Sequence, residues 1–157
     1  MKIKLIALCF ALLAPVVAFA ADGHDHAQDH AAAKKIFGPN QGRIFTEIEP
    51  HAELFVTPDR KVHLTFLDPA GNPVVPVAGT TATLITGDRA APTTLSFAAE
   101  GDTLFSTTVL PEGGNLPAVL RIKPGAEAKL VTIRVQLNFA NCGECSRPEY
   151  ACACEGH

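Results

Sequence analysis

Tryptophan is absent from this chain of 157 residues, tyrosine occurs once, and the only methionine is Met1. Basic charge is in short supply too. Thirteen Lys and Arg stand against 16 Asp and Glu, a formal charge of −3. Without a basic surface to meet phosphates, a nucleic-acid partner is not expected. Catalytic templates are also missing: there is no G-x-S-x-G, no H-E-x-x-H and no P-loop, and nothing nominates a triad. The expectation is a protein that is not an enzyme. Beyond the first twenty residues no apolar run is long enough to cross a bilayer. What is plentiful is turn chemistry. Twelve Gly and 12 Pro imply many short elements and little long helix. A hydrophobic share of 47% makes a packed core possible, and the length suits one domain with short tails.

The start of the chain reads as a secretory signal peptide over residues 1–20. Lys2 and Lys4 precede an apolar run from Leu5 to Val17, and Ala18-Phe19-Ala20 supplies small residues at a cleavage site. Cleavage would remove Lys2, Lys4 and no acid, moving the charge from −3 to −5. It would also remove Cys9 and leave four cysteines, with no stable membrane span in the mature chain. Residues 21–36 then form a polar leader with too little apolar surface to pack, expected to be flexible.

Residues 37–140 are expected to form an antiparallel β-sandwich of immunoglobulin-like type. Candidate strands are 43–49, 51–57, 61–67, 73–77, 80–86, 93–98, 103–109, 117–123 and 129–139. The last is clearest: Val131, Ile133, Val135, Leu137 and Phe139 alternate with Thr132, Arg134, Gln136 and Asn138. One register follows from pattern alone. Leu54 and Val56 must share a face with Val62, Leu64 and Phe66, so even positions oppose even positions. That demands an odd loop, most simply Pro58-Asp59-Arg60. The outer face of this hairpin then carries His51, Glu53, Phe55, His63 and Thr65. Those residue types allow either a metal site or an ordinary polar surface, with Phe55 a candidate partner contact.

The strongest chemical signal is the tail, 141–157. Cys142-Gly143-Glu144-Cys145 is followed, after six residues, by Cys152-Ala153-Cys154 and then by a terminal His157. A C-x2-C turn converges two thiolates, and a short Pro-containing loop can return a second pair to complete a tetrahedron. Soft sulfur ligands favour zinc or copper ions over magnesium or calcium. Two other readings stay open: disulfides that staple the tail, as an oxidising compartment favours, and thiol–disulfide exchange. In the leader, His24, His26 and His30 alternate with Asp22, Asp25 and Asp29, a composition suited to loose capture of zinc, copper or nickel ions.

Two stretches carry a family resemblance. Gly38-Pro39-Asn40-Gln41-Gly42-Arg43 through Glu49-Pro50-His51-Ala52-Glu53-Leu54-Phe55-Val56-Thr57, together with the cysteine tail, resembles small exported accessory proteins of bacterial heavy-metal efflux systems. The first stretch is also similar to segments of their periplasmic adaptor subunits. The turn Asp68-Pro69-Ala70-Gly71-Asn72-Pro73-Val74 and the segment Leu110-Pro111-Glu112-Gly113-Gly114 resemble β-sandwich domains of periplasmic copper-handling proteins. The methionine ligands of that copper family are absent, which leaves His and Cys as ligands. The resemblance implies a periplasmic metal-binding protein linked to efflux or homeostasis, with an adaptor of an efflux pump as a partner; an extracellular destination is the alternative. The expected ligands are Cys142, Cys145, Cys152 and Cys154, with His157, for a tight site, and His24, His26 and His30 for loose capture. The competing function is a disulfide-stapled interaction module of an envelope complex.

Overall fold

The computed structural model describes residues 38–154. They form an all-β antiparallel structure of nine strands: β1 (Arg43–Phe45), β2 (His51–Val56), β3 (Val62–Leu67), β4 (Pro73–Val74), β5 (Thr81–Asp88), β6 (Ala91–Glu100), β7 (Thr103–Ser106), β8 (Asn115–Lys123) and β9 (Val131–Asn138). Pairing runs β1-β2-β3-β7-β6-β5-β8-β9, with β4 added beside β3. The sheet folds over through β6, whose first part pairs with β5 (Ala91 opposite Asp88 to Ser96 opposite Thr83) and whose last part pairs with β7 (Phe97 opposite Ser106 to Glu100 opposite Thr103). One long strand thus serves both layers, and the expected β-sandwich is a single curled sheet closed over its own core.

Period-two patterning builds that core. Ala82, Leu84 and Thr86 of β5 face inward, as do Leu116, Ala118, Leu120 and Ile122 of β8 and Val135 and Leu137 of β9. They meet Leu54, Val62, Leu64, Phe66, Leu95 and Leu104 from the remaining strands. Burying each large aliphatic side chain contributes about 1.5–3 kcal/mol, so this set is the main source of stability.

The β2–β3 register is the one that the pattern requires: Leu54 opposes Leu64 and Val56 opposes Val62. The loop has three residues, closed by Thr57 N–H to the Lys61 carbonyl at 2.9 Å and Arg60 N–H to the Thr57 carbonyl at 2.9 Å. Arg60 adopts φ +65°, the left-handed position of a three-residue hairpin loop. Its guanidinium donates to the carbonyls of Pro111 and Gly113 and lies 4.9 Å from the Phe139 ring.

All nine expected strands form, but several end elsewhere. β7 stops at Ser106 because the Ser106 hydroxyl takes over the pairing: it accepts from Val62 N–H at 2.9 Å and donates to the Thr108 carbonyl at 2.7 Å. β4 is only two residues long, since Pro73 and Pro76 remove amide donors from that edge. β6 and β8 run longer than the pattern suggests.

Candidate metal centre

The tail leaves β9 at Asn138 and turns back on itself. Asn141 and Pro148 form an isolated antiparallel bridge, Cys142 N–H donates to the Arg147 carbonyl at 2.7 Å, and Glu149 N–H donates to the Ala140 carbonyl at 2.8 Å. Ser146 N–H closes the C-x2-C turn on the Cys142 carbonyl at 3.0 Å, and Ser146 itself takes φ +58°. A single 3-10 turn, Glu149–Ala151, then delivers Cys152 and Cys154 to the first pair.

The result is a cluster. The four Sγ atoms of Cys142, Cys145, Cys152 and Cys154 all lie within 4.8 Å of one another. Cys142 to Cys152 is 3.4 Å, Cys145 to Cys152 is 3.7 Å and Cys142 to Cys154 is 4.0 Å. A zinc–sulfur bond of about 2.3 Å places the corners of a regular tetrahedron about 3.8 Å apart. Three of the six edges lie within a few tenths of an ångström of that value and none exceeds 4.8 Å, so the donor set can close on a single tetrahedral ion with modest adjustment. No disulfide joins any of the four. Cys142 is buried and the other three are half-buried, which gives the centre one solvent-facing side.

Electrostatics point the same way. The backbone amides of Cys145 and Glu144 are directed at the Cys142 sulfur and, with the Cys152 thiol, pull its pKa down to about 6. Cys154 N–H likewise donates to Cys152 Sγ at 3.3 Å. Amides aimed at a sulfur stabilise negative charge, as in other anion-binding turns. The crowding of thiols works against further ionisation: the Cys152 thiol beside Cys154 pushes Cys154 well above the ordinary thiol range. The Cys142 thiolate forms readily, whereas Cys152 and Cys154 resist ionisation unless a cation offsets the repulsion. Such a centre can hold a metal ion.

The cluster is anchored to the sandwich by Tyr150. Its side chain is buried, it meets the Phe139 ring edge-to-face at 5.7 Å, and its hydroxyl accepts from Val56 N–H at 3.0 Å. Burial also raises the Tyr150 pKa, so the hydroxyl stays protonated. Residue pattern does not announce this anchor; its one usable signal is a lone tyrosine inside a polar, cysteine-rich tail.

The outer-face set is not a metal centre. Glu53 is buried, not exposed as expected from its place on the polar face. The reason is the segment 38–42, which lies over it. Gly42 N–H donates to Glu53 Oε1 at 2.6 Å, Asn40 N–H at 3.1 Å, and the Asn40 amide reaches Oε2 at 3.0 Å. A Cβ on Gly38 would stand 2.3 Å from the Glu53 carboxyl carbon, and one on Gly42 would stand 2.2 Å from the Leu54 carbonyl oxygen. The Gly38-Pro39-Asn40-Gln41-Gly42 stretch is thus a cover for a carboxylate, and only glycine permits its approach. His63 packs against Phe105 at 4.2 Å and Phe55 at 6.1 Å, and its burial lowers its pKa. His51 lies 3.8 Å from Glu49. Among the described residues, the four cysteines are the one group of His, Cys, Asp and Glu whose ligand atoms converge. His24, His26, His30 and His157 lie outside the described residues.

No family model, curated protein or solved structure matches this chain. The class defined here is an all-β protein with a four-cysteine centre, and the site is read from its own geometry. Among the described residues no helix is long and apolar enough to cross a membrane.

Proposed function

We propose that this chain is a non-enzymatic binder of soft or borderline metal ions of the zinc and copper class, exported to the periplasm and accessory to heavy-metal efflux or homeostasis. The observation that carries the reading is the convergence of four sulfurs from two separate motifs within 4.8 Å. Thiolate ligands select soft and borderline ions over magnesium and calcium. Export is supported by the signal-peptide pattern of residues 1–20. In this reading His24, His26 and His30 give loose capture, the four cysteines give the tight site with His157 near it in sequence, and an efflux-pump adaptor is the partner that receives the ion.

A second reading has its own support. The 3.4 Å between Cys142 and Cys152 sulfurs is close enough for a bond to form with little movement in an oxidising compartment. The tail would then be a stapled element of an interaction module. Protein taken natively from the cell envelope separates the two. Metal analysis should find about one ion per chain, as a four-thiolate site requires, with thiols that react only after chelation. A Cys145→Ser/Cys152→Ser variant should come out without that ion. Four oxidised sulfurs and no metal would overturn the metal reading.

A further inference from the structure

We propose that the tail is a metal-operated strap across the seam of the sandwich, so that ion occupancy sets how the two edges of the curled sheet are closed. This role rests on the metal reading above and adds what the ion would control.

A curled sheet that does not close into a barrel leaves its terminal strands with a free edge, and among the described residues the main run of strands ends at β1 and β9. Tyr150 sits where they approach each other. On one side it takes the Val56 amide. Thr57 N–H points across the hairpin to Lys61, so its neighbour Val56 N–H points to the opposite edge, where β1 no longer extends: β1 reaches only to Arg43, opposite Leu54. Tyr150 satisfies that edge amide in place of a strand. On the other side its ring meets Phe139, the residue that follows β9. One side chain thus bridges both edges.

The strap has little buried surface of its own. From Gly143 to Glu149 no side chain is buried. The bridge at Asn141 and Pro148, a short set of backbone hydrogen bonds and further interactions of Arg147 and Glu149 tie the segment down. The cysteines, however, flank the seated residues on both sides: Cys142 and Cys145 before Tyr150 and Ala151, Cys152 and Cys154 immediately after. An ion held by both pairs closes a short loop around Tyr150 and removes most of the freedom the segment would have when released. Tyr150 and Pro148 also form one wall of a surface groove of about 380 Å³ whose other walls include Phe55, Pro58, Arg60 and Phe139. Release of the strap takes that wall away, so occupancy would be written into the shape of the protein next to the centre.

Sequence makes the test direct. With no tryptophan, Tyr150 is the sole source of tyrosine fluorescence. The full chain is reduced, loaded with Zn²⁺ and compared with the same protein after chelation under reductant. Three readings are taken together: bound zinc, acrylamide quenching of Tyr150, and amide exchange at Val56. The strap predicts one zinc bound, Tyr150 quenching that rises about twofold or more on chelation, and Val56 exchange that speeds by about tenfold, as local opening allows. The far-ultraviolet sheet signal should stay constant. Zinc binding with unchanged quenching and unchanged Val56 exchange would overturn the strap and leave the metal site standing. No zinc binding to the reduced chain would overturn both. Loss of the whole sheet on chelation would overturn the strap as a local device and make the ion a global staple.

Discussion

Two regions of this molecule solve the problem of ordering a chain by different means. The sandwich does so by burying alternate side chains; Leu54, Leu64, Leu84, Leu95, Leu120 and Leu137 are all fully enclosed. Among its described residues the tail buries only Cys142, Tyr150 and Ala151, and turn and bridge hydrogen bonds help to hold the rest. A domain of about a hundred residues can fold on apolar area, whereas a segment of under twenty cannot without a cross-link. Among the described residues all four sulfurs lie in the region with little core of its own and none in the strands, so in the proposed reading the ion acts on the part that most needs a cross-link. The sandwich is therefore a platform whose stability should be nearly independent of the ion.

The sharpest way to break this contrast is to remove a ligand. Cys142→Ser should lower zinc affinity by about a thousandfold or more, given the large share of binding energy that each thiolate carries in such sites. Competition with a chromophoric chelator measures this, and the urea midpoint of the sandwich should move little. The converse change strikes the other region. Leu84→Ala, in a fully buried position between Leu95 and Leu120, should cost about 2–5 kcal/mol in urea unfolding, while a chain that still folds keeps its zinc affinity. A smaller effect falls on the polar seal of the sheet. Glu53→Gln puts an amide group among donors that now face a carboxylate and should cost about 1–3 kcal/mol without touching the metal site.

The gentlest probe is pH. In the reduced, metal-free chain, thiolate absorbance should rise first near pH 6 for Cys142, with Cys154 titrating far later. The Cys142 pKa is depressed in the folded tail. The stabilisation that its amide contacts contribute is therefore fully present above the ordinary thiol pKa, about 8.5, and is lost as pH falls through about 6. Metal affinity should fall over the same direction of pH, because protons compete for the ligands. A first thiolate step at the ordinary thiol value would show that the amides of Cys145 and Glu144 do not reach the sulfur.

Much of the sandwich is legible in the residue pattern, because a half-buried strand writes its face into every second residue. The β2–β3 register follows from Leu54, Val56, Val62, Leu64 and Phe66 alone, since a one-residue slip would expose all of them. Strand ends are less legible. That of β7 depends on what the Ser106 hydroxyl bonds to, a tertiary fact. Glu53 marks the limit most clearly. Alternation places it on the polar face but misjudges its exposure, because the cover comes from Gly38 to Gly42, well upstream in the chain. In the tail, cysteine spacing marks the candidate ligands, and the four sulfurs do converge. It is silent about Tyr150, whose role depends on where β1 stops.

If all four tail sulfurs bind one ion together, X-ray absorption at the zinc edge of the reduced, zinc-loaded chain shows it most directly. The predicted result is a single shell of four sulfur scatterers at about 2.3 Å. A shell dominated by nitrogen or oxygen, or one with only two sulfurs, would contradict it.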